Sequence, residues 1–205
     1  MIQRSNVNQC ARVISDILNP LVLPVLVFGV AGMSISGSTS QMLLLTGVSA
    51  VFFLIIPLSM ALIMRQSNKF QTLDFKGRTS RNWLYLSSVL SVLAGYLIFE
   101  EIFVGAPEVL MLIYLFNLII AFLLNLKWKI SVHTGSMVTA IILLGWIQWM
   151  AQNTFIPGMV SAVLLLMLPF VIWSRLHLKV HSRFEVILGG MVSLISTLML
   201  LGGLV

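Results

Sequence analysis

Residues 109–126 read Val-Leu-Met-Leu-Ile-Tyr-Leu-Phe-Asn-Leu-Ile-Ile-Ala-Phe-Leu-Leu-Asn-Leu, a run without a charged side chain. Its length is close to the ~20 residues that a helix needs to cross a bilayer. The whole chain of 205 residues is 59% hydrophobic and 9% charged, whereas soluble domains are about 25% charged. Because lipid leaves backbone polar groups unsatisfied outside helices and closed barrels, we predict an all-α, polytopic transmembrane helical bundle. Residues 1–205 are expected to form one domain.

The hydropathy pattern predicts about six to seven spans. The candidate spans lie at about 13–33, 42–64, 83–99, 109–126, 134–151, 156–173 and 186–204. The first run resembles a signal peptide in its position, but it is long and lacks a small-x-small cleavage site. We therefore predict a retained helix over 13–33.

The placement of charge predicts the topology. If the N-terminus is cytoplasmic and the chain crosses seven times, all twelve Lys and Arg residues lie on the cytoplasmic side. Glu100, Glu101 and Glu108 then lie on the other side. This distribution follows the positive-inside rule and predicts an integral protein of the bacterial inner membrane. The same rule accounts for the dispersed basic residues, so we predict no nucleic-acid partner.

The polar connection 174–185 reads Ser-Arg-Leu-His-Leu-Lys-Val-His-Ser-Arg-Phe-Glu. Residues four apart share a helix face, so Glu185 is expected to reach His181 and fix its tautomer. His181 is then a candidate nucleophile toward phosphorus, and Arg175 a candidate donor to phosphate oxygens. The alternative is structural, with the cations as snorkelling anchors and Glu185 as an N-terminal helix charge.

A zinc site is a second alternative for the same connection. His177, His181 and Glu185 follow an i, i+4, i+8 spacing that suits metal ligands. The zinc-protease helix, however, has a Glu directly after its first His, and Leu178 stands there. The usual ligand count is also not met, so we predict no metal and no cofactor.

Two further polar segments carry candidate residues. Residues 127–135 read Lys-Trp-Lys-Ile-Ser-Val-His-Thr-Gly. His133 is a candidate general acid and base, and Ser131 is a candidate hydrogen-bond donor to phosphate oxygens. The alternative is a capping Ser and a partly buried His. In Asp-Phe-Lys-Gly-Arg-Thr-Ser-Arg, residues 74–81, the basic side chains bind either an anion or lipid headgroups.

Together the three segments resemble the type 2 phosphatidic acid phosphatase superfamily. Its last signature is Ser-Arg-x5-His-x3-Asp, which Ser174, Arg175 and His181 match, with Glu185 in place of Asp. The middle segment is similar to that of a divergent membrane branch, in which the pattern is Lys-x-Ser-x-His. The early Asn-Pro pair and the Pro that follows it are also similar to that branch. In the first signature, Lys-x6-Arg-Pro, Arg78 holds the Arg position while Gln71 and Thr79 replace Lys and Pro.

The resemblance implies a metal-independent phosphatase with a helical-bundle fold. It implies that His181 attacks phosphorus, that Glu185 orients it, and that His133 handles the protons of the leaving group and water. It also implies a set of residues that hold the substrate phosphate: Arg78, Lys76, Ser131, Arg175 and Lys129.

These observations predict a membrane phosphatase that hydrolyses a lipid phosphate or a polyprenyl (di)phosphate through a phosphohistidine. Its active site is expected on the cytoplasmic side, where the polar connections 65–82, 127–133 and 174–185 meet. Two alternatives belong to other classes. One is a catalytically silent member that binds phospholipid or a partner protein, and the other is a lipid phosphotransferase.

Overall fold

A computed structural model describes residues 2–66 and 78–204, and every regular element in those ranges is helical. The elements are α1 (Ile2–Ile17), α2 (Leu23–Ser36), α3 (Thr39–Ser49), α4 (Ile56–Gln66), α5 (Arg78–Ile98), α6 (Ala106–Lys127), α7 (Val132–Met150), α8 (Ile156–His177) and α9 (Arg183–Leu204). A π-helical segment, Ala50–Ile55, joins α3 to α4 in one continuous helix. The predicted all-α class is confirmed.

Five described helices are long and apolar enough to cross a membrane. They are Thr39–Met64, Ala106–Lys127, Val132–Met150, Ile156–His177 and Arg183–Leu204. This supports an integral membrane protein, while the count of six to seven spans stays a prediction.

The prediction of one helix over 13–33 is wrong, because the chain turns between α1 and α2. Pro20 disfavours a helical conformation at Asn19. The Asn19 side chain accepts a hydrogen bond from the Leu21 N–H at 2.9 Å, and its backbone oxygen accepts from the N–H groups of Val22 and Leu23. Pro24 lies in the first turn of α2, where a missing N–H costs little. The apolar run 13–33 is therefore divided between two helices, α1 and α2.

The first of these, α1, is an amphipathic helix packed against α8. Ala11 and Ser15, one turn apart, are buried, whereas Val13 and Ile17 are exposed. Asn8 Oδ1 lies 3.0 Å from Nε2 of His177, the last residue of α8. Small residues on the buried face let α1 approach the end of α8 closely.

The core of the bundle is built around α7, which packs against α2, α8 and α9. Its buried face includes Met137, Leu143 and Ile147. Polar side chains join α7 to α6 and α9 inside this core. Asn117 Nδ2 of α6 donates to Thr139 Oγ1 at 3.2 Å and to Thr197 Oγ1 at 3.0 Å. Such interhelical hydrogen bonds fix which helices pair when lipid provides no hydrophobic drive.

Small residues bring the start of α7 against α9. Gly189 lies on the backbone of Ser131, and a Cβ at Gly189 would collide with the Ser131 carbonyl oxygen. Gly135 likewise approaches Ser193 and the Gly189 carbonyl oxygen. The pairs Ser131/Gly135 and Gly189/Ser193 are each four residues apart, the small-xxx-small pattern of close membrane-helix crossings.

Gly189→Ala is therefore expected to destabilise the bundle by about 1–3 kcal/mol, the cost of overpacking. The Ser131 backbone cannot yield without breaking the start of α7. The control is Gly190→Ala, whose Cβ would meet Thr134 Cγ2 at an ordinary 3.4 Å. Thermal unfolding of both variants in detergent measures the difference. Equal midpoints for the two variants would show that the close crossing does not stabilise the fold.

Candidate active site

The turn between α8 and α9 folds back over the end of α8. The Val180 N–H donates to the Arg175 carbonyl at 3.2 Å, and the Lys179 N–H donates to the Leu176 carbonyl at 3.0 Å. These two bonds form a Schellman motif, in which the residue after the cap is left-handed and usually glycine. Here that residue is Lys179, with φ of 53°. The motif directs the chain so that His181 returns beside Arg175.

A capping box then starts α9. Ser182 Oγ accepts a hydrogen bond from the Glu185 N–H at 3.3 Å, and Glu185 Oε2 accepts one from the Ser182 N–H at 3.2 Å. The pattern Ser-x-x-Glu satisfies two backbone donors at a helix start. The carboxylate of Glu185 is thereby fixed in place whether or not it serves another function.

The same carboxylate oxygen holds His181, as the i, i+4 spacing predicted. The distance from His181 Nδ1 to Glu185 Oε2 is 2.9 Å. An ionised carboxylate only accepts hydrogen bonds, so we assign the proton of the neutral ring to Nδ1. The lone pair is then on Nε2. This is the orientation that a nucleophilic histidine requires.

Burial keeps the ring of His181 neutral. Loss of water around the side chain is the main cause that lowers its pKa to about 4, and the charges of Arg175 and Lys129 lower it further. The hydrogen bond to Glu185 and its negative charge act in the opposite direction without overcoming burial. At neutral pH the Nε2 lone pair is therefore available.

The 127–133 segment is bound directly to this turn, so two of the three predicted segments meet. Lys129 Nζ donates to the Val180 carbonyl and lies 3.8 Å from Glu185 Oε2. The Ser131 N–H donates to the Glu185 carbonyl at 3.0 Å. Ser131 is completely buried, and its Oγ lies 3.1 Å from Thr134 Oγ1.

Arg175 and His133 complete the cluster through a residue that the sequence did not indicate. The Arg175 guanidinium is buried and donates to Ser15 Oγ of α1 at 2.7 Å. His133 hydrogen-bonds the backbone of Ser15, and it interacts electrostatically with both Arg175 and His181. Ser15 therefore presents acceptor oxygens to two of the predicted site residues. Its only sequence signal is its place one turn after Ala11, on the small-residue face of α1.

The third predicted segment lies largely outside the described residues. Lys76 is not described, and Arg78 is described only as the first residue of α5, without its side chain. One turn later, Arg81 Nε donates to Asn125 Oδ1 of α6 at 3.0 Å. Helix α5 packs mainly on α6. The expected contribution of Lys76 and Arg78 to the site stays a prediction.

His177 lies apart from the other two histidines. Its ring stacks on Trp173 with the ring centroids 5.1 Å apart, and Nε2 faces Asn8. In the described ranges, no three His, Cys, Asp or Glu side chains are grouped as metal ligands. The i, i+4, i+8 spacing of His177, His181 and Glu185 thus does not become a ligand set, because the α8–α9 turn interrupts the helix.

The cluster combines an imidazole fixed by a carboxylate, two cations and a second imidazole. These are His181 with Glu185, Arg175 and Lys129, and His133. Such a set can attack an electrophile, neutralise an anion and move a proton.

Comparison with known protein families, with characterised proteins and with solved structures finds no match to this chain.

Proposed function

We propose that the protein is an integral membrane phosphatase of the type 2 phosphatidic acid phosphatase kind. It hydrolyses a lipid phosphate or a polyprenyl (di)phosphate through a phosphohistidine at His181. The observation that carries the proposal is the hydrogen bond of 2.9 Å from His181 to Glu185 beside the buried Arg175. A structural ion pair alone would not require a buried, neutral imidazole with its second nitrogen left for chemistry.

The reaction proceeds in two displacements. In the first, the bound phosphate anion favours the protonated form of His133. His181 Nε2 attacks phosphorus, the bond from phosphorus to the lipid oxygen breaks, and His133 gives that oxygen its proton. In the second, His133 takes a proton from water, the water oxygen attacks phosphorus, and the P–N bond breaks. Phosphate leaves, and both histidines return to their starting states. Glu185 stabilises the positive charge that develops on His181.

The cations stabilise the charge of the phosphoryl oxygens in both displacements. Arg175 provides a planar set of donors, and Lys129 a point charge. In the described structure Arg175 donates to Ser15 Oγ, and His133 bonds the Ser15 backbone. An entering phosphate would replace these contacts with Ser15. Lys76, Arg78 and Ser131 are proposed as further phosphate ligands.

The site is proposed to lie on the cytoplasmic side of the bacterial inner membrane. Helices α6 and α8 end, and α7 and α9 begin, around the cluster. Basic residues concentrate at this end, including Lys127, Lys179 and Arg183. The positive-inside rule supports a cytoplasmic location for such an end.

Phosphate release from a panel of lipid monophosphates and polyprenyl diphosphates, in detergent, tests this function. We expect release from at least one substrate class, and we expect EDTA to leave the rate unchanged because side chains supply the positive charge. Loss of activity in EDTA, with recovery on adding zinc or magnesium, would contradict the mechanism. Adding an acceptor alcohol separates hydrolysis from phosphotransfer. No activity on any substrate would favour a silent protein that binds phospholipid or a partner.

A further inference from the structure

An apolar groove opens between α7, α8 and α9. Helices α8 and α9 both pack extensively on α7 but only slightly on each other. The space between them has a volume of about 590 Å³. Its walls are aliphatic, with Met191 on α9, Ile141 on α7 and Leu168 on α8. The two polar residues of the lining, Thr134 and Arg183, are both at one end.

The groove reaches about halfway across a bilayer. Along α9 its lining extends from Arg183 to Leu194, and along α8 from Leu176 to Leu165. At ~1.5 Å of rise per residue each stretch is roughly 16 Å long. The hydrocarbon core of a bilayer is about 30 Å thick. An apolar chain in this groove would extend from the membrane surface to the bilayer centre.

The polar end of the groove lies at the same end of α7, α8 and α9 as the candidate site. Three lining residues directly follow site residues in the sequence: Thr134 follows His133, Leu176 follows Arg175, and Val186 follows Glu185. Arg183 is exposed at this end and lies two residues from His181. Any groove in a membrane bundle contacts lipid chains, but this one ends with Arg183 at the end of the bundle that carries the proposed reaction site.

We propose that the groove binds one apolar chain of the lipid phosphate substrate and that its depth sets the preferred chain length. The inference rests on the proposed function. Arg183 would stay with the anionic headgroup at the groove entrance, while the aliphatic walls exclude polar substrates. Gly190 forms part of the wall between α9 and α7, where a Cβ would meet Thr134 Cγ2 at 3.4 Å and Val138 Cγ2 at 3.9 Å.

Gly190→Leu tests the groove because Gly190 lines it, and a Cβ there would meet only the side chains of Thr134 and Val138. The control is Gly202→Leu, since a Cβ at Gly202 has no neighbour within 4 Å. We expect kcat/KM for a long-chain lipid monophosphate to fall at least about tenfold in Gly190→Leu, the equivalent of losing about 1.4 kcal/mol of binding free energy, because the leucine side chain takes the place of the lipid chain. For butyl phosphate, whose chain is too short to occupy the groove, we expect a change of less than about twofold. Gly202→Leu should leave both substrates unaffected.

Equal losses on both substrates, or no loss on either, would overturn the groove proposal. Phosphate release from butyl phosphate by the unmodified protein would still establish the phosphatase. A second measurement does not depend on turnover. A lipid monophosphate with a diazirine in mid-chain should label Val138, Ile187 or Met191, and Gly190→Leu should abolish that labelling. Labelling of residues outside the groove would contradict a substrate site. Equal suppression of the labelling by excess phosphatidylcholine and by excess lipid monophosphate would also contradict it.

Discussion

His181→Ala is expected to reduce phosphate release to the background rate, a loss on the order of 10⁶, as when a nucleophile is removed from a covalent mechanism. The side chain provides the only atom that we propose to bond with phosphorus. The rate is measured in detergent with the best substrate from the panel, at protein concentrations that allow a low residual rate to be detected.

His177→Ala is the matched control for that substitution. His177 lies in the same connection, but it is exposed and contacts Trp173 and Asn8. We expect its activity to stay within about twofold of the unmodified protein. Substantial turnover in His181→Ala, or a comparable loss in His177→Ala, would show that the chemistry is not centred on His181.

Glu185→Gln is expected to lower the rate by roughly 10²–10⁴, which is severe but less complete than the loss of His181. Glutamine keeps the capping box, because its side-chain oxygen still accepts from the Ser182 N–H. It lacks the negative charge that stabilises a positively charged His181 ring. The kinetic change therefore reports on the charge of Glu185 and not on the start of α9.

Ser182→Ala separates the two functions of Glu185 from the other direction. It removes the hydroxyl that accepts from the Glu185 N–H and leaves the contact between His181 and Glu185 unchanged. We expect a stability loss of about 1 kcal/mol with nearly full activity. If Ser182→Ala slowed the reaction as much as Glu185→Gln, helix capping would explain both results.

The contacts that depend on local spacing were predictable from the sequence. His181 and Glu185 are four residues apart. Although His181 precedes α9, they meet because the capping box holds the Glu185 carboxylate over the Ser182 N–H, next to His181. The pairing of 127–133 with 174–185 followed from hydropathy and topology, which place the two connections at one end of the bundle. The reason for their close approach, Gly189 against Ser131, is a tertiary contact between distant small residues. Nothing in the local pattern around either residue identified its partner.

The errors and omissions arose where local hydropathy does not determine backbone direction. Residues 13–33 are apolar enough to look like one helix, but the Asn19–Pro20 pair turns the chain within the run. That turn also determines where α1 lies, and so it determines that Ser15 reaches Arg175 and His133. A serine on a 16-residue helix has no chemical signature of its own. Its role appears only when α1 packs against the end of α8.

The central claim is a covalent bond between phosphorus and His181 Nε2. Its most direct test is a rapid mix of the protein with its best lipid phosphate, followed by an alkaline quench and mass-spectrometric mapping of the phosphorylated peptide. We predict a phosphoryl group on His181 that withstands alkali and is lost in acid, and that is absent from His181→Ala. A phosphoryl group on Ser131 or on another residue, or turnover that proceeds with His181 unmodified at every reaction time, would contradict the claim.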